Sequence, residues 1–214
     1  VHYAPDGKFD VPHYTMSVVI VNGPVNKDLW EAVRPYGGLM FADGKVRIRK
    51  GPLEGSASWT HNLANIAQTA KSDDKRVKVP LAPLWWGGEA PNTDVLPRHG
   101  HGPGELVIGG RLFIQGTDCI SARDVYTGRL LWKRDFPGLN PIGLFYNETY
   151  VCDPLAVGYN QIHLPGSNLR GGNYAATEDR IYLVRGTECL VLDTATGETL
   201  SIFKLPNGEE WGYI

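Results

Sequence analysis

"GTDCISARDVYTGRLLWKRDF" (residues 116–136) and "GTECLVLDTATGETLSIFKLP" (residues 186–206) are two versions of one sequence. Each runs Gly-Thr-acid-Cys, then a short apolar stretch, then Asp-x-x-Thr-Gly, then a second apolar stretch. The likeness continues upstream, where "GGRLFIQ" from Gly109 answers "EDRIYLV" from Glu178. Arg111 and Arg180 are 69 residues apart, as are Gly128 and Gly197. One more apolar stretch precedes each copy, "ELVIGG" from Glu105 and "NYAATED" from Asn173. Each copy therefore reads as four short strands separated by tight turns. The period-2 patterning and the wealth of Val, Ile, Leu and aromatic residues speak against helical repeats.

The repeated turn has a local chemistry. Asp124 and Asp193 end a strand, where a short carboxylate accepts bonds from backbone N–H groups two residues on. Thr127 and Thr196 do the same more weakly, and Gly128 and Gly197 supply the positive φ of a tight hairpin. Trp132 is expected to pack its ring between neighbouring units. These residues read as builders of turns and not as catalysts. Cys119 and Cys189 take matching places in the two copies, and equivalent positions in neighbouring repeats are too far apart for the ~5.5 Å Cα separation of a disulfide. They read as small buried hydrophobes, and with only Cys152 besides, cysteine usage leaves the redox compartment open.

Four-stranded repeats of this kind are the recipe for a β-propeller blade. "ARDVYTGRLLW" (residues 122–132) resembles the Ala-x-Asp-x-x-Thr-Gly-x-x-x-Trp repeat of the pyrroloquinoline-quinone-like β-propellers. "SWTHNLANIAQTAKSDD" (residues 58–74) resembles the segment that leads into such propellers, and "PLWWGG" (residues 83–88) the outer strand before the first full blade. The resemblance spans residues 55–214, with Ser201 standing where the second copy would carry the Trp. It implies a mainly β fold: a partial propeller of two complete four-stranded blades with flanking strands, after a short N-terminal α/β segment. A propeller closes with ~4–8 blades, so the chain reads as a fragment of a longer protein, with "EWGYI" (residues 210–214) beginning another blade. The opening Val1, in place of Met, fits a processed or excised piece.

The first fifty residues have a different grammar. Residues 17–21 form a continuous apolar run, expected to be a strand buried on both faces. Residues 26–33 carry helical spacing in Leu29, Trp30 and Val33. Pro35 stops that helix, and Gly37-Gly38 turns the chain into a second strand over 39–42. This piece resembles the closing portion of Rossmann-type methyltransferases, with a Tyr inserted in the turn Arg34-Pro35-Tyr36-Gly37-Gly38. The glycine-rich cofactor turn of that family is missing, so no S-adenosylmethionine site is assigned. The expected division is a Rossmann-like tail over 1–50, a linker and lead-in strand over 51–90, and propeller blades over 91–214.

Charge is nearly balanced, with 21 Lys and Arg against 23 Asp and Glu, which gives no electrostatic case for nucleic acid or an anionic membrane surface. No apolar run reaches the ~18 residues of a membrane span. Candidate chemistry sits instead in two connections expected on one face of the propeller, "DVLPRHGHGPG" (94–104) and "DPLAVGYNQIHLPGSNLRGG" (153–172). The second is longer than a routine join, which favours a binding or interface role.

Arg98, His99, His101, His163, Asn168 and Arg170 are the candidate ligand-binding residues of these loops. His99 and His101 point the same way on an extended segment, so with His163 they form a candidate metal set. Arg98 and Arg170 suit carboxylate or phosphate groups. His13 and His61, beside aromatics, read as packing or hydrogen-bonding residues, and residues 71–78 as a solvated loop. "NET" (147–149) is read as a chance glycosylation sequon.

The propeller resemblance raises pyrroloquinoline quinone or a metal ion as cofactor. The adjacent cysteine pair that quinoprotein dehydrogenases place over the quinone does not occur in the sequence, nor does a Cys-x-x-Cys-His haem motif. The leading expectation is a binding or scaffold module whose partner is another protein, the remaining blades, or a small polar ligand. The alternative is a quinone- or metal-dependent oxidoreductase, or a sugar-processing enzyme. The resemblance further implies a bacterial, exported protein of the periplasm.

Overall fold

A computed structural model of the chain describes residues 11–86, 94–95, 103–116, 118–139, 172–212 and 214. The N-terminal unit contains β1 (Val18–Val21), α1 (Lys27–Ala32), β2 (Gly38–Ala42) and β3 (Lys45–Arg49). β1 and β2 are parallel, joined by the helix as the only way to return in the same direction, and β3 pairs antiparallel with β2. Asn26 caps the helix, its side-chain oxygen accepting the Leu29 N–H at 2.8 Å. Val33 ends the helix in an extended conformation, two residues ahead of Pro35. β3 lies beyond the elements expected from sequence. Its signal is Asp43-Gly44, both at positive φ (50° and 68°), a hairpin dipeptide between alternating apolar residues.

β1 departs from the expectation of burial on both faces. Val33, Met40 and Ala42 make a small core with Val19, Val21, Leu29 and Trp30 on the helix side. On the other side Val18, Ile20, Phe41, Val46 and Ile48 are exposed, Ile20 by 73%. Helix α1 covers one face only, and no other described element packs on the second.

Two four-stranded antiparallel sheets follow. The first is β4 (Leu106–Ile108), β5 (Arg111–Gln115), β6 (Cys119–Asp124) and β7 (Leu130–Asp135), paired in chain order. The second is β8 (Tyr174–Ala176), β9 (Arg180–Arg185), β10 (Glu188–Asp193) and β11 (Thr199–Lys204), also in chain order. The described fold is thus mainly β, and both copies of the repeat form the four strands read from their alternation. Residues 210–212 and 214, expected to start a further strand, form none. They run beside the second sheet, where Trp211 N–H bonds to the Gly186 carbonyl and Ile214 N–H to that of Gly172.

The main core is the interface between the two sheets. Leu106, Ile108, Phe113, Ile120 and Ala122 of the first face Tyr174, Ala176, Ile181, Leu183, Leu190 and Leu192 of the second. The repeated turns close as their chemistry demands. Asp124 Oδ1 accepts the N–H groups of Tyr126 and Thr127 (3.0 and 3.1 Å), and Asp193 Oδ1 those of Ala195 and Thr196 (2.8 and 2.9 Å).

Each turn also receives an indole from the preceding part of the chain. Trp132 donates to the Thr194 carbonyl at 3.1 Å, and its ring occupies the space a Cβ on Gly197 would need, 2.6 Å away. Trp85 repeats the arrangement one unit earlier, donating to the Val125 carbonyl at 2.9 Å with its ring 2.5 Å from where a Gly128 Cβ would stand. Glycine is required at both turns twice over, by positive φ (70° and 74°) and by this contact.

The matched cysteines are not structurally equivalent. β6 and β10 begin 69 residues apart, which sets Cys119 beside Glu188 and Ile120 beside Cys189. The two hairpins pair in the same register, Arg111 with Asp124 and Arg180 with Asp193, so the Gly-Thr-acid-Cys letters themselves sit one residue further along in the second copy. A shift of one residue turns every side chain to the other face, so the two thiols face opposite sides of their sheets. Both are buried and neither forms a disulfide, as expected of small hydrophobes.

The N-terminal unit docks on the first sheet through its "RPYGG" turn. Arg34 forms a buried ion pair with Asp124 at 3.0 Å, and the Tyr36 ring fills the space beside Gly110 and meets Tyr126. Tyr36 takes φ 54°, unusual for a bulky residue. The inserted tyrosine is therefore, with the Arg34–Asp124 pair, part of the joint between the α/β unit and the first sheet.

Candidate functional site

The ends of the sheets entered from the two candidate loops are described up to Gly104 and from Gly172 on. Both ends meet the segment Trp59–Asn62. Trp59 exchanges two backbone hydrogen bonds with Val107 of β4 (2.7 and 2.8 Å), and the Thr60 carbonyl accepts from Ala176 of β8 at 3.1 Å. The segment therefore lies across the first strands of both sheets. Asn62 is buried there, its side-chain oxygen accepting the Gly104 N–H at 3.0 Å, and its Cβ stands 3.4 Å from where a Gly172 Cβ would be. His61 shares a 2.8 Å hydrogen bond between Nδ1 and the Thr60 hydroxyl, and burial pushes its pKa down, favouring the neutral ring.

Beneath this end lies an unusual group of buried amides. Gln115, at the end of β5, is 2% exposed, and neither its amide nitrogen nor its oxygen has a hydrogen-bond partner. The register places it on the interface side, in line with Phe113. Asn173, just before β8, bonds the Val184 carbonyl through its amide nitrogen while its buried oxygen has no partner. The Trp211 indole nitrogen, beside Gly186, is also buried without a partner. Of the five buried side-chain atoms without partners among the described residues, four are at this end of the sheets. In native proteins at least ~90% of buried polar groups are bonded, so the concentration calls for an explanation. Tyr174 shows the ordinary case: fully buried, its hydroxyl is satisfied by the Gly104 and Phe113 carbonyls.

Arg98, His99, His101, His163, Asn168 and Arg170 lie outside the described residues, as does Cys152. Among the described residues no group of three His, Cys, Asp or Glu is placed to hold a metal ion. Gln115 and Asn173 went unnoticed in the sequence, although a signal exists. Gln115 breaks the apolar-inward alternation of β5, and the corresponding residue of the second copy is Val184.

On the opposite side of β6, Cys119 faces Asp94 and Lys133. Lys133 bonds Asp94 at 2.6 Å, and burial, with the Asp94 charge second, pushes the Cys119 thiol up to about 11. That environment disfavours the thiolate, which is the nucleophilic form.

No protein-family model matches the sequence, and no curated protein does. Thirty-five solved chains match it in structure. One is a europium-containing methanol dehydrogenase, with TM-score 0.42 and 18% identity over 69% of this chain and 23% of that one. Another is a quinohemoprotein alcohol dehydrogenase from Comamonas testosteroni, with TM-score 0.42 and 17% identity over 72% of this chain and 20% of that one. The chain thus spans roughly a fifth of the length of these two enzymes. No described helix is long and apolar enough to cross a membrane.

Proposed function

We propose that the chain is part of a binding or scaffold module built as a quinoprotein-like β-propeller, which recognises a polar ligand or a partner at the end of the sheets entered by its two loops. The observation that carries this reading is the pair of buried amides, Gln115 with both atoms unsatisfied and Asn173 with one. An unsatisfied buried polar atom costs ~1–3 kcal/mol. A position kept polar at that cost is suited to a ligand bringing both a donor and an acceptor. The loop residues Arg98, His99, His101, His163, Asn168 and Arg170 would complete the site from above.

The two sheets are two blades in this reading, and the exposed Leu200, Ile202 and Phe203 of β11 belong against further parts of the assembly. The N-terminal strand–helix–strand unit is the tail of a Rossmann-like domain, and the protein works in the periplasm.

The test joins stability to binding. Gln115→Met keeps the volume and removes the unsatisfied amide, so urea denaturation is expected to show a gain of about 1 kcal/mol. Native mass spectrometry is expected to show a polar species retained by the wild-type chain and lost by the variant. Unchanged stability together with no retained species would overturn the reading. A bound metal ion or quinone, seen by metal analysis or its absorbance, would move it to the oxidoreductase alternative.

A further inference from the structure

A second site lies in the N-terminal unit, away from the loop end. A cleft of about 880 Å³ opens between α1, the turn at Tyr14 and the chain following β3, with Arg76 at its wall. Two guanidinium groups share one aromatic ring in it. The Arg49 Cζ stands 5.4 Å and the Arg76 Cζ 5.6 Å from the centre of the Tyr14 ring, and Arg49 also lies 4.6 Å from the Trp30 ring.

The Asp74 carboxylate is close enough to feel the Arg76 charge, though no ion pair joins the two side chains. Glu31 approaches Arg49 only to 3.6 Å, beyond hydrogen-bonding distance, and the short bond of Arg49 is to the neutral Trp30 carbonyl at 2.7 Å. Its Nε is buried with no partner. Arg76 bonds two neutral oxygens, the Glu54 carbonyl (3.2 Å) and the Tyr14 hydroxyl (2.9 Å), and forms no ion pair among the described residues. Lys27, Asp28, Lys50 and Glu54 line its rim. The lining holds four Lys and Arg against three Asp and Glu, which leaves the cleft a small positive excess.

We infer that this cleft binds a small oxyanion, a carboxylate- or phosphate-bearing molecule held between Arg49 and Arg76 over Tyr14. Guanidinium groups present forked donors that match the two oxygens of either group. The rings hold both groups in place by cation–π contact. The site is independent of the loop end, so it stands or falls apart from the function proposed above.

The test uses the whole chain in thermal-shift and calorimetric titrations with inorganic phosphate in one arm and citrate in the other, both at ionic strength held constant with sodium chloride. A rise in Tm that follows the logarithm of ligand concentration, with saturable heats in the calorimetric titration, is expected in one arm or both, and the stronger arm identifies the group. Arg76 is exposed and its loss leaves the fold standing, so Arg76→Gln is expected to weaken binding by tenfold or more, with Arg76→Lys in between. Shifts that equal those of sodium chloride alone, or that survive undiminished in Arg76→Gln, would overturn the proposal.

Discussion

Single residues decide most of what joins this chain together, and glycine at the repeated turns is the sharpest case. Alanine at Gly197 must take positive φ and push against the Trp132 ring at 2.6 Å. The first costs ~1 kcal/mol and the second ~1–3, so Gly197→Ala is expected to lose about 3 kcal/mol in urea denaturation. Gly186 also has positive φ, but nothing lies within 4 Å of its missing Cβ, so Gly186→Ala should lose only about 1 kcal/mol. Equal losses at the two sites would mean that the indole contact contributes nothing. The sequence announced Trp132 through its place four residues after Gly128. It did not announce the matching role of Trp85, because nothing local tells Trp85 from its neighbour Trp86, which is 93% exposed. The cysteines show the converse failure. The same Gly-Thr-acid-Cys pattern at 116–119 and 186–189 hid its displacement by one residue relative to the strands. With its pKa near 11, Cys119 is expected to resist alkylation at pH 8 in the native chain and to react on unfolding. Mass spectrometry of each labelled site is the check, and rapid native labelling of Cys119 would contradict its placement.

At the scale of elements, the joint between the α/β unit and the first sheet is a buried charge pair. Arg34 and Asp124 have side chains 15% and 5% exposed, and removing one partner leaves a buried charge uncompensated at a cost of ~3–5 kcal/mol. Arg34→Met is therefore expected to destabilise by about 3 kcal/mol, and Asp124→Asn in the same chain to restore part of that loss. A double-mutant cycle with no coupling would remove the pair from the joint. The strands of both repeats, helix α1 and its stop before Pro35 were all legible, since each rests on periodicity or local turn chemistry. The docking was not legible, because it depends on Tyr36 and Tyr126 meeting across 90 residues of sequence. Nor did residues 71–78 declare more than a solvated loop. Within them Asp74 accepts the N–H groups of Ala57, Arg76 and Val77, and Arg76 reaches the Tyr14 hydroxyl.

For the molecule as a whole, stability should fall at both ends of the pH scale. Burial raises the Asp74 carboxyl, but backbone N–H bonds outweigh it and hold the pKa low. Asp193 is held low chiefly by the Thr196 N–H. A depressed folded value gives stability that is present above the ordinary Asp range and lost as pH falls through the folded pKa. At the alkaline end, burial pushes Cys119 to about 11 and Tyr126 to about 12. Their contribution is whole below the ordinary thiol and phenol values and fades as pH rises towards these folded ones. Tyr126→Phe is expected to make the alkaline loss of stability shallower in urea titrations between pH 9 and 12. An unaltered slope would show that the ring is not buried in solution.

The two indole contacts also have a direction. Trp85 clamps the turn of the first sheet and Trp132 that of the second, while Ser201 stands at the corresponding position of β11, all six of whose residues are exposed. Neighbour is tied to neighbour in the order of the chain, and at Ser201 there is no ring to make the tie. Local opening should therefore begin at β11 and travel backwards through β10 towards the first sheet, and amide hydrogen exchange would record that order as a gradient of protection.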